Sequence, residues 1–215
     1  MVHHVFIDNS NVFGGAQSMS KRVEKHVPWP ALRVHFRNLV LLVEGGQEIS
    51  TRVLAGSVPP GDDDLWQYAK DMKYETNLLR KVEKDDGRLG EQGVDELLHL
   101  KIANLLLDSE QPQALVLVTG DGRVSEFGTG FALQAQRALK RGWQVEVWSW
   151  KSALSPAFSQ LAAAHPGKIR IHDFDKFFKS ITFVKGGLYG PPAVPKIINL
   201  AARVVAPLPS PLKIY

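Results

Sequence analysis

The sequence predicts an α/β fold, a three-layer α/β/α sandwich around a mainly parallel sheet. Three observations predict it. Short apolar runs rich in β-branched residues alternate with stretches of helical periodicity along most of the chain. Two of those runs, residues 5–7 (Val-Phe-Ile) and residues 115–118 (Leu-Val-Leu-Val), are apolar without interruption, as strands buried on both faces are. Each then ends in an aspartate among small polar residues and glycines: Asp8 before Asn9, Ser10 and Asn11, and Asp121 inside Thr119-Gly120-Asp121-Gly122. In open α/β sheets, ligands sit outside the carboxyl ends of the strands, so these two ends are where a site is expected. If the two strands are neighbours, both aspartates can point into one crevice.

Taken in order, the first strand runs into Asp8, which either caps a loop or forms part of a site. Residues 15–27 read as a polar, basic loop carrying Lys21, Arg22 and Lys25. Pro28-Trp29-Pro30 then opens a helix to about Glu44, with Leu32, Phe36, Leu39, Val40 and Val43 on one side and Arg33 and Arg37 together on another. Gly45-Gly46 stops it. Residues 48–56 read as a strand. Pro59-Pro60-Gly61 follow, and Asp62 to Asp64 suit the start of a helix over 65–72, where capping is the plainer role for the three acids. Residues 76–83 read as a short strand, and 84–92 as a polar loop.

A clear helix begins near Gly93-Val94-Asp95, with Leu98, Ile102, Leu105 and Leu106 along its buried stripe. Asp95 either caps this helix or faces Asp8 and Asp121 at the mouth of the sheet. His99, one turn on, reads as a packing or surface residue. After the strand at 114–118, a helix is expected over 125–141, with Glu126 in its first turn and Gly142 at its stop. Residues 143–150 (WQVEVWSW) form a strand whose aromatics suit packing between layers. A helix over 156–164, a strand over 168–171 and an amphipathic segment with Phe174, Phe177 and Phe178 close the domain, which spans residues 1–180. Residues 181–215 are a Pro-rich extension, in which Ile197, Ile198, Leu200 and Val204 suit a docking helix.

With 215 residues the chain suits one domain and a tail. It has no cysteine, which excludes disulfides, thiolate zinc sites and cysteine nucleophiles and fits an intracellular protein. No apolar stretch approaches the roughly 20 residues of a membrane span, and Asp8 interrupts the first apolar run too early for a signal peptide. The formal net charge of +4 is compatible with a nucleic acid or another phosphate partner, and equally with a basic surface that keeps the protein soluble.

The acids expected at the carboxyl edge of the sheet are Asp8, Asp95, Asp121 and Glu126. Carboxylates pressed together repel one another unless a cation neutralises them. Oxygen donors without Cys or a His pair select Mg2+ or Mn2+. Such an ion can activate a water and stabilise a phosphodiester transition state, with Asn11 holding a water or a phosphate oxygen.

VFIDNSNVFGG, GVDELLHLKI and LVLVTGDGRVSEFGTGFALQAQRALKRGWQVEVWSW resemble the three signature blocks of the NYN domain, a branch of the PIN-like nuclease superfamily, in its fungal form. The resemblance spans about residues 3–172. It implies a metal-dependent endoribonuclease with Asp8, Asp95 and Asp121 as metal ligands, Asn11 beside them, RNA as partner, and a homodimer. Two positions depart from the pattern. Arg123 stands where many members carry a second acid after the strand-ending one, and Lys101 stands where many carry another acid on the helix. Glu126 would replace one of the lost carboxylates. The departures suit one metal rather than two, with Lys21, Arg22, Lys101 and Arg123 contacting RNA phosphates.

The alternative is a weakly active or inactive RNA-binding module that keeps the fold. A haloacid-dehalogenase-type phosphatase needs an acid two residues after its aspartate, where this chain has Ser10. Residues 120–125 fail the G-x-G-x-x-G dinucleotide pattern, and no G-x-S-x-G is present.

Overall fold

The computed structural model describes residues 1–57, 63–79, 82–83, 89–90, 93–124, 128–189 and 196–210. It is an α/β protein built around a six-stranded parallel sheet with helices on both faces, a three-layer sandwich. In chain order the elements are β1 (His3–Asp8), α1 (Asn9–Val23), a 3-10 turn (Trp29–Ala31), β2 (Leu32–Val34), α2 (Phe36–Glu44), β3 (Ile49–Ser57), α3 (Asp63–Asp71), β4 (Glu75–Leu79), β5 (Val82–Glu83) and β6 (Leu89–Gly90). Then come α4 (Val94–Asp108), β7 (Ala114–Val118), α5 (Phe131–Lys140), β8 (Gln144–Ser149), α6 (Pro156–Ala164), β9 (Ile169–Asp173) and a 3-10 turn (Phe174–Phe177). The chain closes with α7 (Phe178–Ile181), β10 (Thr182–Val184), β11 (Gly187–Tyr189) and β12 (Lys196–Ile198).

The order of the main sheet is β4-β3-β1-β7-β8-β9. β1 is therefore central, with β3 on one side and β7 on the other, both parallel to it. The uninterrupted apolar run of β1 serves both faces. Val5 and Ile7 point to the layer of α1, α2, α3 and α7, whereas Phe6 points to the layer of α4, α5 and α6. The Trp-rich strand divides likewise: Trp148 and Trp150 join the first layer and Trp143 the second. Those aromatics are packing residues, as their pattern predicts.

Four expectations are corrected. Residues 15–23 are not a loop but the body of α1. Asp8 caps that helix through the Asn11 amide, and Gly15 is needed inside it because a Cβ there would come within 2.0 Å of the Trp150 ring. The helix expected from Pro28 divides, because residues 32–34 pair antiparallel with β10 and His35 then caps α2. Arg33 and Arg37 therefore do not share a helical face. The helix expected from residue 125 begins at Phe131, since the chain first folds back so closely that a Cβ on Gly130 would lie 2.2 Å from the Arg123 carbonyl. Ile197 and Ile198 lie in β12, paired with β11, not in a helix.

The tail packs on the domain. Ile198 is buried against the first layer, and Leu200 and Leu208 pack on it in part. Arg203 ties the tail down. Its backbone bridges to Val184, its guanidinium donates to the Thr182 carbonyl (2.7 Å) and hydroxyl (3.0 Å), it forms an ion pair with Glu24 (2.8 Å), and it lies 5.4 Å over the Phe178 ring. No helix among the described residues is long and apolar enough to cross a membrane.

Removing Arg203 leaves Glu24, whose side chain is 12 % exposed, without its cation. Arg203→Ala is expected to lower stability by about 2–3 kcal/mol, measured as a shift of the urea midpoint at unchanged slope.

Candidate functional site

The strand order reverses between β1 and β7, and this switch point is where a parallel sheet opens a crevice beyond its carboxyl ends. Asp8 ends β1 on one side of that crevice, and Thr119-Gly120-Asp121 leaves β7 on the other. The two sides are laced together. Asp8 is 4 % exposed, and its carboxylate accepts from the Asn11 amide (3.0 Å) and from the Thr119 hydroxyl (3.2 Å). The same Thr119 oxygen accepts from the Asp121 amide (3.2 Å), and the Asn11 side-chain oxygen accepts from the Gly120 amide (2.9 Å). Asp8 and the Asp121 backbone are thus two hydrogen bonds apart. The first turn of α1 places its free amides and positive dipole end beside Asp8, which favours a carboxylate there.

The glycines flanking Asp121 are required by the protein's own packing. A Cβ on Gly120 would lie 2.3 Å from the Ala153 carbonyl, and one on Gly122 would lie 2.4 Å from the Ser155 hydroxyl. The Ser155 amide donates to the Gly120 carbonyl (2.9 Å), which fixes the loop to the start of α6.

Asp121 is the second acid of the crevice, with its side chain 19 % exposed. It accepts from its own Arg123 amide (2.9 Å) and pairs with the Arg123 guanidinium (3.0 Å). Burial pushes its carboxyl up, but the hydrogen bonds and charge of Arg123 outweigh this and hold it below the usual carboxylate range. Asp95 lies in the first turn of α4, after Gly93 in the left-handed conformation, and acts electrostatically on the same Arg123. Arg123 therefore serves two of the expected acids.

The other expected residues are placed as follows. Lys101 pairs with Glu75 (2.6 Å), which aligns with Val53 in the middle of β3, short of the Ala55 that sits beside Asp8. Lys21 and Arg22 are in the last turn of α1, roughly 20 Å along its axis from Asp8, and Arg22 approaches Asp175 (3.9 Å). Glu126 lies outside the described residues. Among the described residues, no group of three His, Asp or Glu side chains is close enough to hold a metal.

Residue reasoning from the sequence passed over two members of this arrangement. Thr119 joins both acids, and only its place at the end of an apolar run next to Gly-Asp-Gly could have signalled it. His99, on α4, is 4 % exposed and meets Phe131 edge-on at 4.4 Å.

No family description matches the chain, and no curated protein matches it in sequence. Among solved structures it is similar to the crystal structure of a protein of unknown function from Vibrio parahaemolyticus. That similarity has a TM-score of 0.53 at 15 % identity and covers 81 % of this chain and 94 % of the other. At this identity the likeness concerns the fold.

Two predictions follow from the local geometry. Gly120→Ala is expected to cost about 1–3 kcal/mol, read from urea unfolding, because neither the Ala153 carbonyl nor the strand end can move freely aside. Burial lowers the pKa of His4, His35 and His99. The unfolded chain then binds protons more readily than the folded one. Their stabilising effect is complete above the ordinary histidine value of about 6.5 and is lost as the pH falls below it. The urea midpoint is expected to drop between about pH 7 and about pH 5, and His99→Phe to remove part of that drop.

Proposed function

We propose that the protein is a metal-dependent endoribonuclease of the NYN type, hydrolysing RNA phosphodiesters in the crevice between β1 and β7. The observation that carries this reading is Asp8: a nearly buried carboxylate at the switch point, joined through Thr119 to the loop that bears Asp121. The donor chemistry agrees. Mg2+ and Mn2+ take hard oxygen ligands, and Mg2+ is commonly held by one or two carboxylates, with waters and substrate phosphate completing its shell. Asp8 and Asp121 would hold the ion, with Asp95 at the neighbouring helix start and Asn11 beside them. The absence of an assembled three-acid group among the described residues favours such a shared, open shell over a closed protein cage.

When bound, the ion would polarise the phosphoryl group and make its water a better nucleophile. The chain's own residues would do the rest. Asp8 is fixed by two hydrogen bonds and would keep its orientation as charge develops. Arg123, whose side chain is 89 % exposed, would turn from Asp121 to a phosphate oxygen, for which a guanidinium has matched geometry. Lys21 and Arg22 would meet the RNA backbone farther along α1.

A second reading is RNA binding without cleavage. The Arg123–Asp121 pair favours it, since Asp121 already has a cation.

The test is cleavage of an end-labelled single-stranded RNA with Mn2+ or Mg2+, with EDTA as control. Asp8→Asn keeps a helix-capping side chain, and Asp121→Asn keeps the shape of the loop residue. Cleavage is expected to need the metal and to fall roughly 100-fold or more in either variant. Intact RNA, together with salt-sensitive binding that Asp121→Asn leaves unchanged, would establish the binding module instead.

A further inference from the structure

His99 is a buried polar group that the reading above leaves unused. It lies on α4 one turn after Asp95, and neither of its ring nitrogens has a hydrogen-bond partner. The other inward residues of α4 are the aliphatic Val94, Leu98, Ile102 and Leu106. A residue needed only for packing at this point would be one more of those, because a buried imidazole without partners gives up hydrogen bonds to water and regains none. Asp121 and Glu96 both lie within electrostatic range of the ring. Asp121 is the one that belongs to the crevice, and its present partner is Arg123, an exposed side chain whose ion pair is weakly held.

We propose that His99 is a positioning residue of this site: when an RNA phosphate draws Arg123 away, the His99 imidazole N–H donates to the Asp121 carboxylate and holds it against the divalent ion. The proposal rests on the nuclease reading. It gives the unpaired nitrogen an acceptor in the loaded state, and it gives Asp121 a replacement donor when Arg123 leaves. Carboxylates that bind metals are commonly held by such an outer hydrogen bond, and its loss lowers metal affinity by about 10- to 100-fold. Burial keeps the ring neutral, with one N–H to give.

The test measures Mn2+ affinity by calorimetry on the full chain, in the presence of a cleavage-resistant phosphorothioate RNA, for the parent, His99→Phe and His99→Gln. Melting temperatures are recorded alongside. His99→Phe is expected to melt above the parent and yet bind Mn2+ about 10-fold or more weakly. His99→Gln keeps a donor and is expected to recover part of the affinity. Long-range 1H–15N spectra of the unmutated ring supply a readout that no substitution can spoil: its nitrogen signals are expected to shift when Mg2+ and the RNA are added, and to stay put in Asp121→Asn. Unchanged Mn2+ affinity in His99→Phe, with ring signals indifferent to loading, would make His99 a plain core residue and leave the nuclease reading standing. Failure of the parent to bind Mn2+ at all would remove the nuclease reading, and this proposal with it.

Discussion

The structure depends on the hydrogen bonds that close the switch point. Two strands of a parallel sheet diverge in the connections they make, and their ends would separate if nothing joined them. Here Asp8 and Asn11 on one side, and Thr119 and Gly120 on the other, exchange two hydrogen bonds across the gap. Asp8 at the same time caps α1. One carboxylate thus ends a strand, starts a helix and secures the neighbouring loop. Farther along α1, the Trp150 indole donates to the Val12 carbonyl (2.9 Å), and Gly15 lets the helix lie directly on that ring. The crevice is consequently rigid on the β1 side and, through Ser155, on the β7 side as well. A site built this way is preorganised by the fold itself, without a separate supporting loop.

Much of this was legible in the sequence. The two apolar runs ending in aspartate gave the central strands, their parallel neighbourhood and the crevice, because burial on both faces demands unbroken hydrophobicity. What failed to read correctly was polar helix. α1 is rich in Ser, Asn, Gln, Lys and Gly, and its buried contacts are small: Val12, Gly15, Ala16 and Ser20. Periodicity records large apolar side chains, so a helix that is seated by a glycine against a tryptophan leaves almost no trace. β2 was missed for a different reason. Its partner, β10, lies some 150 positions away in sequence, and three residues are too few to show alternation. The acids were read correctly as residues of the sheet edge. Their engagement by Arg123 depended on the conformation of a turn, which composition does not encode.

The placement of the basic residues bears on how a phosphodiester chain would lie. Lys101 is taken up by Glu75 below the level of the crevice, and the Lys101–Glu75 bond lowers the pKa of Glu75 despite some burial of that acid. It serves the joint between α4 and the edge strand β4 better than it serves a ligand at the mouth. Arg22, by contrast, shares a neighbourhood with Lys151 through Asp175, whose carboxylate also accepts from the Lys151 amide. Lys151 follows the carboxyl end of β8, so the cations of this rim run from Arg123 toward β8 and β9 and away from β4. A polyanion seated at Asp8 would therefore be drawn across the carboxyl ends of β7, β8 and β9.

That direction also fixes what Arg123 can do. It is the most exposed member of its ion pair, at 89 % against 19 % for Asp121, so it can change partners at little energetic cost, whereas Asp121, held by the glycine-bounded turn, cannot follow it. In the free protein its charge lowers the repulsion between Asp121 and Asp95, and a divalent ion at the same place would do so more strongly. Cation and guanidinium then compete for the acids, while phosphate and carboxylate compete for the guanidinium. The two exchanges relieve each other: a phosphate that takes Arg123 frees Asp121 for the ion, and an ion on Asp121 frees Arg123 for the phosphate. Linkage requires that each then tighten the binding of the other by the same factor. On this geometry an arginine in place of a family acid makes metal binding conditional on the substrate, and its presence is compatible with catalysis for that reason.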